Sequence, residues 1–276
     1  MELLTFISGI IREAFAKKII LSIFIFFSLI ILFIVFAATN DSVAGMLTFL
    51  EASGGNADYR SAVIYFESNI SSKIPMFMLT AFYLIIVSSF IPSMLQKGHI
   101  DLLLSKPISR TKIVLGHLIA GTTFAFLSSF FLLGIIWLIV SFKTGVWHIP
   151  FLYSILWFTL IFLVLYSFVI LIGLLTKNTI LNILINLILF FPLSWIFYLL
   201  NLVTKKGEQF FSFGAVTEFI IKFFYYILPK PWDLADLCEN TIKVEALGSI
   251  QPIISSILFI GIMISLSIWY FNKKDY

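Results

Sequence analysis

The sequence predicts an all-α, polytopic membrane protein with six spanning helices. Three observations carry this: composition, the length of the charge-free runs, and the sidedness of the charges. Of 276 residues, 61% are hydrophobic and 12% charged, with a mean hydropathy of +1.08. A soluble domain of that size cannot hide so much apolar surface. A helix crossing a hydrocarbon layer roughly 30 Å thick needs about 20 apolar residues. Six runs without Asp, Glu, Lys or Arg meet that length, at about 19–38, 74–95, 113–142, 151–176, 179–203 and 252–271. They make the whole chain, 1–276, one membrane domain.

The chain opens on "MELLTFISGIIREAFAKK", where Leu3, Ile7, Ile10 and Ala14 recur at helical spacing and Arg12, Glu13 and Lys17 fall elsewhere on the wheel. This predicts an N-terminal interfacial helix with its charges toward water; a plain extension of the first span is the alternative. The first run is expected to be a retained anchor, since "VFAATNDSVAG" offers only a weak cleavage site. A segment of about 35 residues follows, with a turn at Gly54 and Gly55 and no recognisable site. The third run is about 30 residues, some 45 Å of helix, so part of it should protrude, most naturally at the end carrying Lys112 and His117.

In the fifth run Asn178, Asn182 and Asn186 fall at i, i+4, i+8, one polar stripe about 12 Å long. Such a stripe is either interhelical glue or the lining of a pathway or subunit seam. Pro192 removes a backbone bond higher in the same helix and should kink it. Between the fifth and sixth runs, Thr204 to Ile250 contains "EQFFSFGAVTEFIIKFFYYILPKPWDLADL". Glu218 and Lys222 would each cost roughly 2.5 to 3.5 kcal/mol at the centre of a seventh span. An outside amphipathic helix, with those two paired and an end at Pro229 and Pro231, is the better reading.

Six spans put both termini on one side, and Lys and Arg counts choose it. The N-terminal segment, the Gln96–Lys112 loop, Lys177 and the tail hold ten basic and four acidic residues, a net +6, against eight basic and ten acidic, a net −2, on the other side. Both termini should therefore be cytoplasmic. The basic residues sit at helix ends and form no run, which argues against nucleic acid as a partner.

The spans hold no Asp, Glu, Lys or Arg, and one histidine, His117. Proton relays, voltage sensors and counter-ions need such groups in the bilayer, which disfavours an ion-coupled carrier. No GxxxxGK[ST] stretch occurs to cradle nucleotide phosphates. Cys238 is alone, so no internal disulfide can form. His99, His117 and His148 lack ligand spacing, and Met76 and Met78 make a poor Cu(I) site without a nearby cysteine or histidine. Ser105 has no convincing base, so no catalytic residue, cofactor site or metal is expected. Energy for transport would then have to come from another protein, through a docking element.

The candidate is "QKGHIDLLLSKPISR", Gln96 to Arg110, between the second and third runs. Gly98 breaks away from the second span, Ile100, Leu103 and Leu104 share helical spacing with Asp101 and Ser105 elsewhere, and Pro107 ends the short helix near Lys106. Ser109 suits the N-cap of the next long helix. Spacing alone leaves two readings open, a helix lying on anionic lipid and a helix docked to protein.

The stretch resembles the cytoplasmic signature of ABC-2 type transporter permeases, commonly E-x-G-T-L-x-x-L-L-S-x-P-I-S-R, over Gly98, Leu103, Leu104, Ser105, Pro107, Ile108, Ser109 and Arg110. Gln96 stands where the family usually has glutamate, and His99 where it usually has threonine. The N-terminal helix, the six spans and "YYILPKPWDLADL" are similar to the same family, most closely to its branch linked to multicopper enzyme maturation. The resemblance implies a plasma (inner) membrane half-transporter that pairs with a second permease chain, identical or related. Two cytoplasmic ABC ATPase subunits would hold the ATP and Mg. Gly98, Ile100, Asp101, Leu103, Leu104, Ser105, Pro107 and Arg110 would form the coupling helix, moving a cargo, outward by expectation. The alternatives are an ion-coupled carrier or channel, and a non-transporting scaffold or assembly factor.

Overall fold

The computed structural model describes residues 25–26, 28–29, 58–71, 73–96, 98, 100, 108–206, 215–246 and 248–274. Among them the chain is helical, with no strand. Its elements are α1 (Tyr59–Ser71), α2 (Lys73–Val87), α3 (Phe90–Met94), α4 (Arg110–Thr144), a 3₁₀ turn (Ile149–Leu152), α5 (Tyr153–Thr176), α6 (Thr179–Ile188), a π turn (Leu189–Leu193), α7 (Ser194–Lys206), α8 (Ala215–Ile227), α9 (Pro231–Ile242) and α10 (Gln251–Lys273). Five segments are long and apolar enough to cross a membrane: Tyr59–Met94, Arg110–Thr144, Ile149–Thr176, Thr179–Val203 and Gln251–Lys273. The chain is thus an all-helical, multi-pass membrane protein. The expected N-terminal helix, most of the first run and the Gly54–Gly55 turn lie outside the described residues. Ile25, Phe26, Ser28 and Leu29 are helical, and Phe26 stacks on Phe82 with ring centroids 4.1 Å apart.

Helix α5 is the axis of the bundle and touches α2, α3, α4, α6, α9 and α10. Its most apolar window is 61% buried, against 22% in the α6–α7 and α10 segments, which form the periphery. Phe158, Ile161, Phe162, Val164, Tyr166, Val169, Ile170 and Leu174 are sealed inside it. Close approach needs small residues, because lipid gives no hydrophobic push between helices. At Gly121 of α4 an added Cβ would lie 2.3 Å from the Tyr166 ring.

The helix ends follow local chemistry. Ser109 caps α4, its extended backbone letting Oγ accept from the Lys112 amide at 3.4 Å. Gly145, at φ +72, closes α4 in the left-handed conformation that glycine adopts without steric cost. Pro231 opens a helix as well as following one: the expected single helix between the fifth and sixth runs is a pair, α8 and α9, because proline's missing N–H costs nothing at a first helical position. Pro192 sits in the π turn, where its lack of an N–H and its ring disrupt the regular ladder. The second run also differs from its expected start near 74, since helix precedes it from Tyr59 to Ser71.

Candidate functional site

The bundle has two ends. One carries Ser109, Lys177 and the C-terminus of α10, and holds the residues singled out in the sequence. Here α2 gives way to α3 at Ser88 and Ser89. Pro92, four residues past Ser88, has no N–H to return to the Ser88 carbonyl, which is buried and needs a partner. Asn182 supplies it: Nδ2 donates to Ser88 O at 2.8 Å. Asn186 Nδ2 donates in turn to the Asn182 backbone and side-chain oxygens at 2.7 and 2.8 Å. Both asparagines are buried.

Asn178 is not in that stack. Its side chain accepts from the Ile180 and Leu181 amides at 2.9 and 3.3 Å, so it is the N-cap of α6 and exposed. Gly173 of α5 completes the contact, since a Cβ there would come 2.9 Å from Ile91 and 3.1 Å from Asn182 Nδ2. Asn182 therefore joins α6 to the broken α2–α3 helix, and Asn186 supports it from the next turn of α6.

Of the expected docking residues, Gly98, Ile100 and Arg110 are described; Asp101, Leu103, Leu104, Ser105 and Pro107 lie outside the described residues. Gly98 has φ +84 and is exposed, as a chain turning away from a helix end requires. Ile100 is helical and buried, its amide donating to Gln96 O at 3.2 Å. Arg110 points across the bundle: Nη1 donates to the carbonyls of Phe271 at 2.8 Å, Asn272 at 3.2 Å and Lys274 at 2.5 Å. Its guanidinium also lies 5.7 Å from the Phe271 ring centroid.

The other end holds a pair that the sequence did not single out. Glu67 of α1 and His148, ahead of the 3₁₀ turn, are both buried, with Nδ1 and Oε2 2.6 Å apart. Among the described residues, Glu67 Oε1 and His148 Nε2 have no further hydrogen-bond partner. Trp137 donates to His148 O at 3.0 Å, and Trp157 of α5 donates to Thr241 of α9 at 3.1 Å. An acid and an imidazole 81 residues apart leave no local pattern to read.

At the same end α8 doubles back along α7, with the Phe197 and Phe224 rings stacked at 5.3 Å. Trp232, at the start of α9, lies 3.7 Å from the Phe77 ring and donates to Ser194 at 3.2 Å. Tyr225 and Tyr198 donate to Asp233 and Asp236 at 2.7 and 2.6 Å. Burial, reinforced by Asp233, pushes the Tyr225 hydroxyl pKa up. The Lys230 ammonium sits 4.1 and 4.5 Å from the Tyr225 and Tyr226 ring centroids. Glu218 and Lys222 form their expected i, i+4 pair. Burial pushes the Cys238 thiol up to about 12, which leaves it protonated and unreactive.

Among the described residues no cluster of three or more His, Cys, Asp or Glu could hold a metal. Neither a family model nor a curated protein matches this sequence.

Proposed function

We propose that this chain is the membrane subunit of an ABC-2 type transporter, driven by a separate cytoplasmic ATPase. The observation that carries the reading is the stretch Gly98–Arg110, with its resemblance to the family's cytoplasmic signature. Two geometric facts support it. Gly98 turns the chain off the end of the second membrane-length segment, and Ser109 caps the next. The other connection at that end, Lys177–Asn178, is two residues long and has no room for a docking helix.

In this reading that end faces the cytoplasm, in keeping with Arg110, Lys112, Lys177, Lys273 and Lys274 there. The sixth span is the run at about 19–38, and both termini are cytoplasmic in a plasma membrane. A second permease chain completes the pathway, and the α8–α9 pair lies at the outer surface. ATP and Mg bind the partner, whose closure tilts the spans and moves the cargo outward.

An ion-coupled carrier is the second reading, favoured by the one buried acid–imidazole contact described, Glu67 with His148. That pair joins α1 to the turn after α4 and lies off the charge-free runs, which suits a structural tie better than a relay.

The test is recovery of the protein from its native membrane. An ABC ATPase should co-purify with the wild type and be lost from a Leu103→Glu, Leu104→Glu double variant that still inserts. Uphill pumping by the purified chain alone in sealed vesicles would overturn the proposal.

A further inference from the structure

Arg110 does something that a docking residue need not do. The last carbonyls of any α-helix lack intrahelical partners and carry the negative end of the helix dipole. At the end of α10 three of them, Phe271, Asn272 and Lys274, converge on one guanidinium nitrogen from a residue more than 160 positions earlier. Hydrogen bonds from a charged guanidinium are about twice as strong as neutral ones, and Nη1 shares its two N–H groups among the three carbonyls. The Phe271 ring beneath is wholly buried, so the clamp is anchored in the core and not on a frayed tail.

On the other side of the clamp, Arg110 is the first residue of α4, directly after the Ser109 cap and three residues past Pro107. Helix α10 packs along both α4 and α5. A displacement of the connection before Ser109 therefore has a short polar route to the last helix, separate from side-chain packing. We propose that Arg110 is a positioning strut that carries movement of the inner-face connection to α10, so that the two move as one body. This rests on the functional reading above for what moves the connection, and on the clamp alone for how the movement is passed on.

Two measurements test it, both by amide hydrogen exchange on the full chain. In the chain alone, Arg110→Gln should raise exchange about tenfold at the last turn of α10, residues 270–273, and at Lys112 and Ile113, that factor being the usual worth of a hydrogen bond to a charged group. Arg110→Lys keeps the charge without the planar guanidinium and should give a smaller rise at both places, which guards against a variant that merely folds poorly. In the complex recovered with its ATPase, a non-hydrolysable ATP analogue with magnesium should alter exchange at 270–273 in the wild type. In the Arg110→Gln complex, compared with the wild type at equal bound ATPase, that response should vanish. Unchanged exchange in the isolated variant, or a variant complex that responds like the wild type, overturns the strut. A wild type that brings down no ATPase overturns the functional reading instead, and the isolated-chain measurement then judges the clamp by itself.

Discussion

At the scale of single residues, the Glu67–His148 contact makes a strong demand on the fold, because polar groups removed from water are tolerated only when a hydrogen-bonding partner is held close. The 2.6 Å separation meets that condition for Nδ1 and Oε2, while the unpartnered Oε1 and Nε2 make the site intolerant of losing either side chain. Replacing Glu67 or His148 alone with alanine should destabilise the protein by about 1–3 kcal/mol, since the survivor is left buried without its hydrogen-bonding counterpart. Replacing both, Glu67→Ala with His148→Ala, should cost less than the sum of the two single changes, because neither side chain is then left behind without its partner. Thermal unfolding of the four proteins in detergent measures this as a double-mutant cycle. Simple additivity of the two losses would show that the residues do not act as a pair.

At the scale of elements, the junction of α3, α5 and α6 shows how one missing hydrogen bond organises three helices. Pro92 strips the Ser88 carbonyl of its partner, Asn182 replaces it from α6, and Gly173 lets α5 come close enough for all three to meet. Gly173→Ala should force Ile91 or Asn182 aside and cost about 1–3 kcal/mol, the usual penalty of overpacking. A companion Asn182→Ala should remove only part of the added loss, because the displaced amide is then absent while the Ile91 contact at 2.9 Å remains; equal losses in both backgrounds would rule out this linkage. The junction also marks how far the sequence could be read. Membrane-length runs, the Ser109 cap and the Glu218–Lys222 pair are local signals of length, cap chemistry and spacing, and they were legible. The Asn178–Asn186 stripe was legible as spacing but not as roles, since only the position of the helix start separates a capping asparagine from a bridging one. Helix α1 was hidden because Arg60 and Glu67 interrupt its apolar pattern. The second helix of the α8–α9 pair was hidden because a proline that ends one helix can begin the next. Glu67 with His148, and Arg110 with the end of α10, are non-local contacts that no spacing rule reaches.

At the scale of the whole molecule, orientation decides what every other feature can mean: a docking connection is useful only on the side where ATP is made available. The proposed orientation, with the Ser109 end inside, follows from the charge asymmetry of the sequence, and the single cysteine makes it testable in the natural background. Cys238 is sealed in α9 and its thiol is held protonated up to about pH 12, so at pH 7.5 a maleimide should find almost no thiolate there. Added cysteines then report alone. Lys143→Cys, exposed in the last turn of α4, should react with a membrane-impermeant maleimide in intact cells. Lys112→Cys, exposed in the first turn of the same helix, should react only after the membrane is opened. Because the two positions lie on one continuous helix of 35 residues, opposite accessibility also establishes that α4 crosses the bilayer. Labelling of Lys112→Cys from outside would invert the topology, place Gly98–Arg110 beyond the reach of any cytoplasmic ATPase, and remove the basis for ATP-driven transport by this chain.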